Sequence, residues 1–421
     1  MAVMHVIQQK IKKIIFFICL ILTVCSYLYS GAYKNSAHGN TIYGVNRSSV
    51  SGYGYSRGNC AHCHEQHTSI SGSEPAPSSG TPSKFCLFAD NFNSNKQTGP
   101  YTQSDNFCFY CHVSSGSQQS EGGITNYQYS NTFGGYTTNF VSDILGAFNL
   151  DSNSSTYPGS YHNLYDIQRF AKDKFNFFKA DSNPCTACHN PHLAKRNKAN
   201  PKDASYTAIS RPTDHDNLWG DDATERMSKY SNYRAPYYYG STTLYEPGGV
   251  TSNDGSEMPD YNTFCLDCHQ YQVPTTQSAS MNPNTPSGYL TAINWGPTGD
   301  MHGAAPRLFD IGGGPQRCSG TIIAPYSNSP VNSNYLLSCL DCHEPHGSKL
   351  YSTRPSSYLL RKEINNNVVG GCGPAQENFC ESYFCYSCHT NNHAGPGNCF
   401  VCHYHGAENI GCGGPWYGKN F

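Results

Sequence analysis

The sequence predicts a chain that is mostly irregular coil, with short helices and few strands, and that does not fold around an apolar core of its own. Three observations point there. Apolar residues make up 37% of the 421, below the roughly 45–50% of ordinary globular domains. Forty glycines and 25 prolines punctuate the chain, and few apolar runs hold a helical or strand period long enough for a long element. The third is a five-residue pattern, C-x-x-C-H, that is written seven times.

The copies are Cys60-Cys63-His64, Cys108-Cys111-His112, Cys185-Cys188-His189, Cys265-Cys268-His269, Cys339-Cys342-His343, Cys385-Cys388-His389 and Cys399-Cys402-His403. At this composition chance supplies roughly 0.05 copies. The pattern is the c-type haem attachment signal: the cysteines make thioethers with the porphyrin vinyl groups and the histidine becomes the proximal iron ligand. A thioredoxin-like redox pair sits once, in a βαβ pattern that is not seen here. A zinc ribbon wants two C-x-x-C pairs per metal and has no use for a histidine fixed after each. Seven covalently bound haem c groups are therefore expected, at roughly 55 residues per haem once an export signal is removed. Groups served by so little chain must touch one another, so the coil is expected to wrap a contiguous stack of seven haems.

Residues 1–32 read as a signal peptide. Lys10, Lys12 and Lys13 form the charged start, Ile14 to Val24 the apolar run, and Ser30-Gly31-Ala32 the cleavage site. The mature chain, 33–421, then reads as one heptahaem domain, secreted to the periplasm, the cell surface or beyond. It contains no further apolar run of membrane-spanning length. Cys25 is a poor lipid acceptor because Val24 precedes it. Charged residues are only 13% and the net charge is -2, which offers nothing to nucleic acid. The motifs lie 46 to 80 residues apart except the last two, only 14 apart; no repeat period or solenoid is indicated. Within this frame, short elements are expected at Phe140–Phe148 and, as a helix leading to the third motif, at Tyr161–Phe178. A Ser/Pro/Gly loop is expected at Ser71–Ser83.

The opposite face of each iron decides its chemistry, since a second histidine closes it as an electron carrier whereas an open face can bind substrate. Ten histidines remain for seven faces: His38, His62, His67, His162, His192, His215, His302, His346, His393 and His405. His67, His192 and His346 each follow a proximal histidine by three residues, about one helical turn. They sit on the proximal side of their own haem and must serve another. His62, inside its C-x-x-C loop, is expected to be exposed and not a ligand. His38, His302 and His393 precede a small residue, which suits a flexible segment presenting an imidazole. His162, His215 and His405 compete for the remaining place. With histidine on both faces and no methionine ligand, low potentials are expected. Cys86, Cys318, Cys372, Cys380 and Cys412 lie outside the motifs; Cys372 with Cys380 could close a small disulfide, and the odd number leaves one thiol over. The 32 tyrosines suit ring packing on porphyrin.

The runs C-x-x-C-H-x-x-H at Cys60–His67, N-P-H-L-A-K-R-N at Asn190–Asn197 and D-C-H-E-P-H-G-S at Asp341–Ser348 resemble the outer-surface multihaem cytochromes of metal-reducing bacteria. Some of these polymerise into extracellular filaments. The resemblance spans Ser36 to about Ala407. It implies coil around an unbroken haem stack, subunits joined head to tail, and a histidine in the position of His67 ligating a haem of the next subunit. The expected function is long-range extracellular electron transfer to redox partner proteins or extracellular acceptors, without bond-making catalysis. A monomeric electron shuttle is the alternative. A multihaem reductase is disfavoured, because every motif ends in histidine and distal ligands are in surplus.

Overall fold

In the computed structural model, residues 33–65, 84–124, 143–150, 160–192, 262–276, 285–294, 339–348, 350, 359–361, 363–364, 367–368, 384–388 and 405 are described. Their regular elements are short. The α-helices are α1 (Ser48–Ser51), α2 (Ile144–Ala147), α3 (Leu164–Lys174), α4 (Asn262–His269) and α5 (Cys339–Cys342). The strands are β1 (Ser160–Tyr161), β2 (Gly347–Ser348), β3 (Glu363–Ile364) and β4 (Asn367–Val368). No helix among the described residues is long and apolar enough to cross a membrane. The signal segment and the Ser71–Ser83 loop lie outside the described residues.

The longest element, α3, has a complete local explanation. Asn163 caps it by accepting from Tyr165 and Asp166 N–H, satisfying two of the donors that a helix start leaves open. Asp166 lies in the first turn and Lys172 and Lys174 in the last, each favourable to the helix dipole. Leu164, Phe170 and Ala171 are buried. Phe175 then turns extended and ends the helix. This places α3 within the span expected from apolar spacing. It packs on the 3-10 turn Pro184–Ala187 of the third motif, while the Asp166 carboxylate accepts from Thr276 N–H and hydroxyl at 2.7 and 3.0 Å. The helix therefore ties the third motif to the segment after the fourth.

Apolar burial is divided into small clusters, each built against an attachment motif. Tyr101, Phe109, Phe148, Tyr161 and Leu164 enclose the second motif through Phe109. Phe170, Ala171, Phe175, Phe178 and Ala187 lie between the third motif and Cys268 of the fourth. Leu350, Leu360 and Phe384 gather Cys342, Cys385 and Cys388. Strand β1 pairs antiparallel with β2, Ser160 against Ser348 and Tyr161 against Gly347. A two-residue ladder stabilises little alone, but it joins the approach to the third motif with the tail of the fifth. Gly347 is required there, because a Cβ would stand 2.0 Å from the Ala147 carbonyl oxygen. β3 and β4 form a separate antiparallel pair.

Candidate metal centres

The first three motifs share one local design. An asparagine caps a 3-10 turn: Asn59 accepts from Ala61 N–H, Asn106 from Cys108 and Asn183 from Cys185. The second cysteine and the histidine both donate N–H to the carbonyl of the first cysteine, as in Cys63 and His64 to Cys60 at 3.0 and 2.8 Å. That winding projects both sulfurs and the imidazole from one side of the turn. The fourth motif reaches the same end on α4 and the fifth on α5, where i, i+3 and i+4 share a face. Among the described residues no disulfide is formed, and Cys86 is exposed.

Every proximal histidine in the described residues faces one further histidine. Ring centres are 6.1 Å apart for His64 and His192, 6.0 Å for His112 and His38, and 5.9 Å for His189 and His346. For His269 and His162 the separation is 6.1 Å, and for His343 and His405 it is 6.2 Å. Ordinary ring contacts spread over about 4.5–7 Å, so five values between 5.9 and 6.2 Å call for a common cause. Imidazole–metal bonds of about 2 Å on either side of one ion, plus about 1.1 Å from each nitrogen to its ring centre, give about 6.2 Å. The ring planes range from 18° to 81°, as they can when each ring turns freely about a shared axis. Among the described residues no cage of three or more His, Cys, Asp or Glu assembles; the imidazoles come in twos, which suits the two axial positions of a haem iron.

Tautomers point the same way. Nδ1 of His38 donates to Pro191 O at 2.8 Å, Nδ1 of His162 to Pro345 O at 2.5 Å, and Nδ1 of His64 to Phe85 O at 2.9 Å. A carbonyl can only accept, so in each ring Nδ1 carries the proton and Nε2 keeps its lone pair, the arrangement of an oriented metal ligand. Phe85 and Cys86 adopt φ of 63° and 52°, a strained pair for non-glycine residues, and this turn aims the Phe85 carbonyl at His64. Burial pushes His112, His269 and His346 down to about 3 and His189 to about 4, with neighbouring histidines adding to it. His189 and His192 are exposed as whole residues, yet the chain around their rings still disfavours the imidazolium. Neutral imidazole is the form a metal needs.

The pairs succeed one another in chain order. His112 feels His38 and His189, His346 feels His189, His162 and His112, and His269 feels His162, His343 and His405. The second and third motifs are locked together by Asn106 and Asn183, whose amides exchange hydrogen bonds at 3.1 and 3.0 Å. Sequence reading passed over these asparagines, although one stands one or two residues before each of the first three motifs.

Two expectations are corrected. His62 is not exposed but fully buried: its Nδ1 accepts from Arg47 N–H and its Nε2 donates to Ser56 O, both at 3.0 Å. Both nitrogens being used, it is a structural histidine. Nor does Gly39 serve flexibility beside His38, since a Cβ there would lie 2.1 Å from Tyr33 O; the small residue permits close packing. His67, His215, His302, His389, His393 and His403, with Cys399, Cys402, Cys318, Cys372, Cys380 and Cys412, lie outside the described residues.

Comparison with protein-family models, curated proteins and solved structures finds no match. The reading of this chain therefore rests on its own motifs and on these histidine pairs.

Proposed function

We propose that this protein is a bis-histidine heptahaem c-type cytochrome that carries electrons outside the cell, with its subunits joined head to tail into a filament. The observation that carries the electron-transfer reading is the set of five histidine pairs at one spacing. Haem iron, when bound, supplies a reversible one-electron couple. The chain's residues do the rest. Fourteen motif cysteines would attach the porphyrins, and the paired neutral imidazoles would hold the irons. Carbonyls of Phe85, Pro191 and Pro345 hold three of the rings in register.

A rule in the pairing supports polymerisation. The histidine trailing the third motif faces the first motif (His192 to His64), and that trailing the fifth faces the third (His346 to His189). His405, trailing the seventh, faces His343 of the fifth. Each reaches back two motifs. His67 trails the first of the seven motifs, and His403 is the one odd-motif histidine that this series leaves without a partner, so we pair His67 with His403 of another copy. Leading histidines serve the even motifs, His38 for His112 and His162 for His269; His302 for His389 continues that series. The contact is heterologous and does not close, which generates an open filament.

Haem-stained material sheared from cells, imaged by electron microscopy with the polypeptide identified by mass, tests the whole reading. Regular filaments carrying seven haems per chain support it. Dispersed single subunits with seven haems would leave a soluble shuttle. A chain with no covalent haem would sink both.

A further inference from the structure

Glu65 and Glu344 are the acidic residues that directly follow a proximal histidine; the other motifs place Val113, Asn190, Gln270, Thr390 and Tyr404 there. Both glutamates are buried and both meet a buried arginine, Glu65 with Arg47 at 2.8 Å and Glu344 with Arg361 at 3.4 Å. The backbone around them matches. Glu65 N–H donates to Cys86 O, Phe88 N–H to Cys63 O, and His64 bridges Leu87. At the fifth motif Glu344 N–H donates to Leu359 O, Arg361 N–H to Cys342 O, and His343 bridges Leu360.

In this backbone correspondence Phe88 takes the place of Arg361. The arginine at the first motif instead arrives from the N-terminal segment, where Arg47 lays its guanidinium over the Phe88 ring at 4.1 Å. Two unrelated chain positions thus bring a guanidinium to the same glutamate. Stability is a poor reason, because a buried ion pair gains little over apolar packing, and Arg47 Nε and Glu65 Oε2 find no hydrogen-bond partner among the described residues. What the charge does reach is two motifs: the Arg47 guanidinium donates to Ala61 O inside the first at 3.4 Å, and the Phe88 ring beneath it packs at 5.6 Å on Tyr110 inside the second.

We infer that Arg47–Glu65, and Arg361–Glu344 as its counterpart, are electrostatic positioning pairs that set the reduction potentials of the haems at the first two motifs and at the fifth. The inference rests on the haem-binding reading above. A positive charge near a haem disfavours the oxidised iron and raises its potential, and the carboxylate offsets that field.

The test is a spectroelectrochemical titration of the full-length holoprotein and two variants, Glu65→Gln and Arg47→Gln, each first shown to carry seven haems by pyridine haemochrome. Glu65→Gln leaves the guanidinium uncompensated and shifts the affected component upward; Arg47→Gln leaves the carboxylate and shifts the same component downward. A packing defect would move both the same way, so shifts of one sign, or none, overturn the inference. If Arg47→Gln does not load all its haems, Glu344→Gln replaces it, with an upward shift expected in a different component and its absence overturning the inference. Wild-type chain lacking covalent haem would instead overturn the reading on which the inference rests.

Discussion

His192 belongs to the third attachment motif, yet its ring faces His64 of the first at 6.1 Å and 18°. Tyr33 packs against the same ring at 5.8 Å. The adjoining Pro191 carbonyl receives Nδ1–H of His38, which faces His112 of the second motif. One N-P-H tripeptide therefore faces the histidine of the first motif and fixes the ring that faces the histidine of the second. The E-P-H tripeptide at the fifth motif repeats both tasks, His346 on His189 and Pro345 on His162.

On the proposed reading, replacing His192 by alanine would remove one of the two imidazoles at the first motif and leave its cysteines in place. We expect seven haems to remain attached and about one-seventh of the iron to become high-spin and open to carbon monoxide. Carbon monoxide difference spectra and low-temperature electron paramagnetic resonance check this. A fully low-spin variant would show that His192 closes no iron.

Gly347→Ala tests the ladder that carries His162. The new methyl would stand 2.0 Å from Ala147 O, so β1 and β2 must separate or shift. His162 bonds the Pro345–His346 backbone through both its N–H and its ring, and it faces the fourth motif. The expected result is a high-spin fraction of about one-seventh with an unchanged haem count. Gly52→Ala, with nothing within 4 Å of its Cβ position, should be silent in the same spectra.

The amide lock between Asn106 and Asn183 predicts coupling. Each asparagine caps its own turn and bonds the other. Alanine at either position should cost about 1–2 kcal/mol, since a cap and a buried amide bond go together. The double variant should cost less than the two added, because the second change removes a bond already broken. Denaturant unfolding of the four proteins gives the cycle; strict additivity would show that the amides do not act as a unit.

Asp105 predicts a pH dependence. Burial opposes its charge, but bonds from Asn93 and from the hydroxyl and N–H of Thr102, with Lys96 nearby, outweigh burial and hold the carboxyl below its usual range. A folded-state pKa below the unfolded value of about 3.9 gives stability that is present above that value and lost as pH falls through the folded one. Asp105→Asn should therefore lower stability at pH 7 by about 1 kcal/mol. The gap to the parent should narrow as pH drops below about 4. Thermal melts across that range measure it, and a constant gap would exclude the carboxylate as the cause.

C-x-x-C-H is contiguous, so the sequence alone marked the cysteines and histidines that the structure presents together at each described motif. Helical spacing predicted that His192 and His346 serve a motif other than their own, and each ring does face the histidine of another motif. It could not choose their targets, since the backbone between one motif and the next is coil whose path no period records. His162 and His405 could not be separated from His215 for the same reason; a two-residue ladder and a proline carbonyl, both remote in sequence, place His162. The buried Arg47 and Glu65 were hidden by composition. A charged share of 13% does not say which charges lie inside, and this pair does. His62 was misjudged because proximity to a porphyrin edge was equated with exposure, when Arg47 N–H and Ser56 O were waiting to bury it.

His67 carries the last prediction. It follows His64 by the same three residues that separate His192 from His189 and His346 from His343, and those two histidines reach back two motifs. On the proposed pairing with His403 of another copy, His67→Ala should leave attachment and folding intact, because the iron it would close belongs to that copy. It should turn filaments into dispersed subunits, or weaken them enough that shearing releases single copies. It should also leave one iron in seven high-spin at the freed end, and that signal should match dispersed parent subunits. Electron microscopy and electron paramagnetic resonance on one preparation read both effects together. Filaments that persist with fully low-spin iron would mean that another histidine serves the last odd motif and that the backward step stops at the subunit boundary.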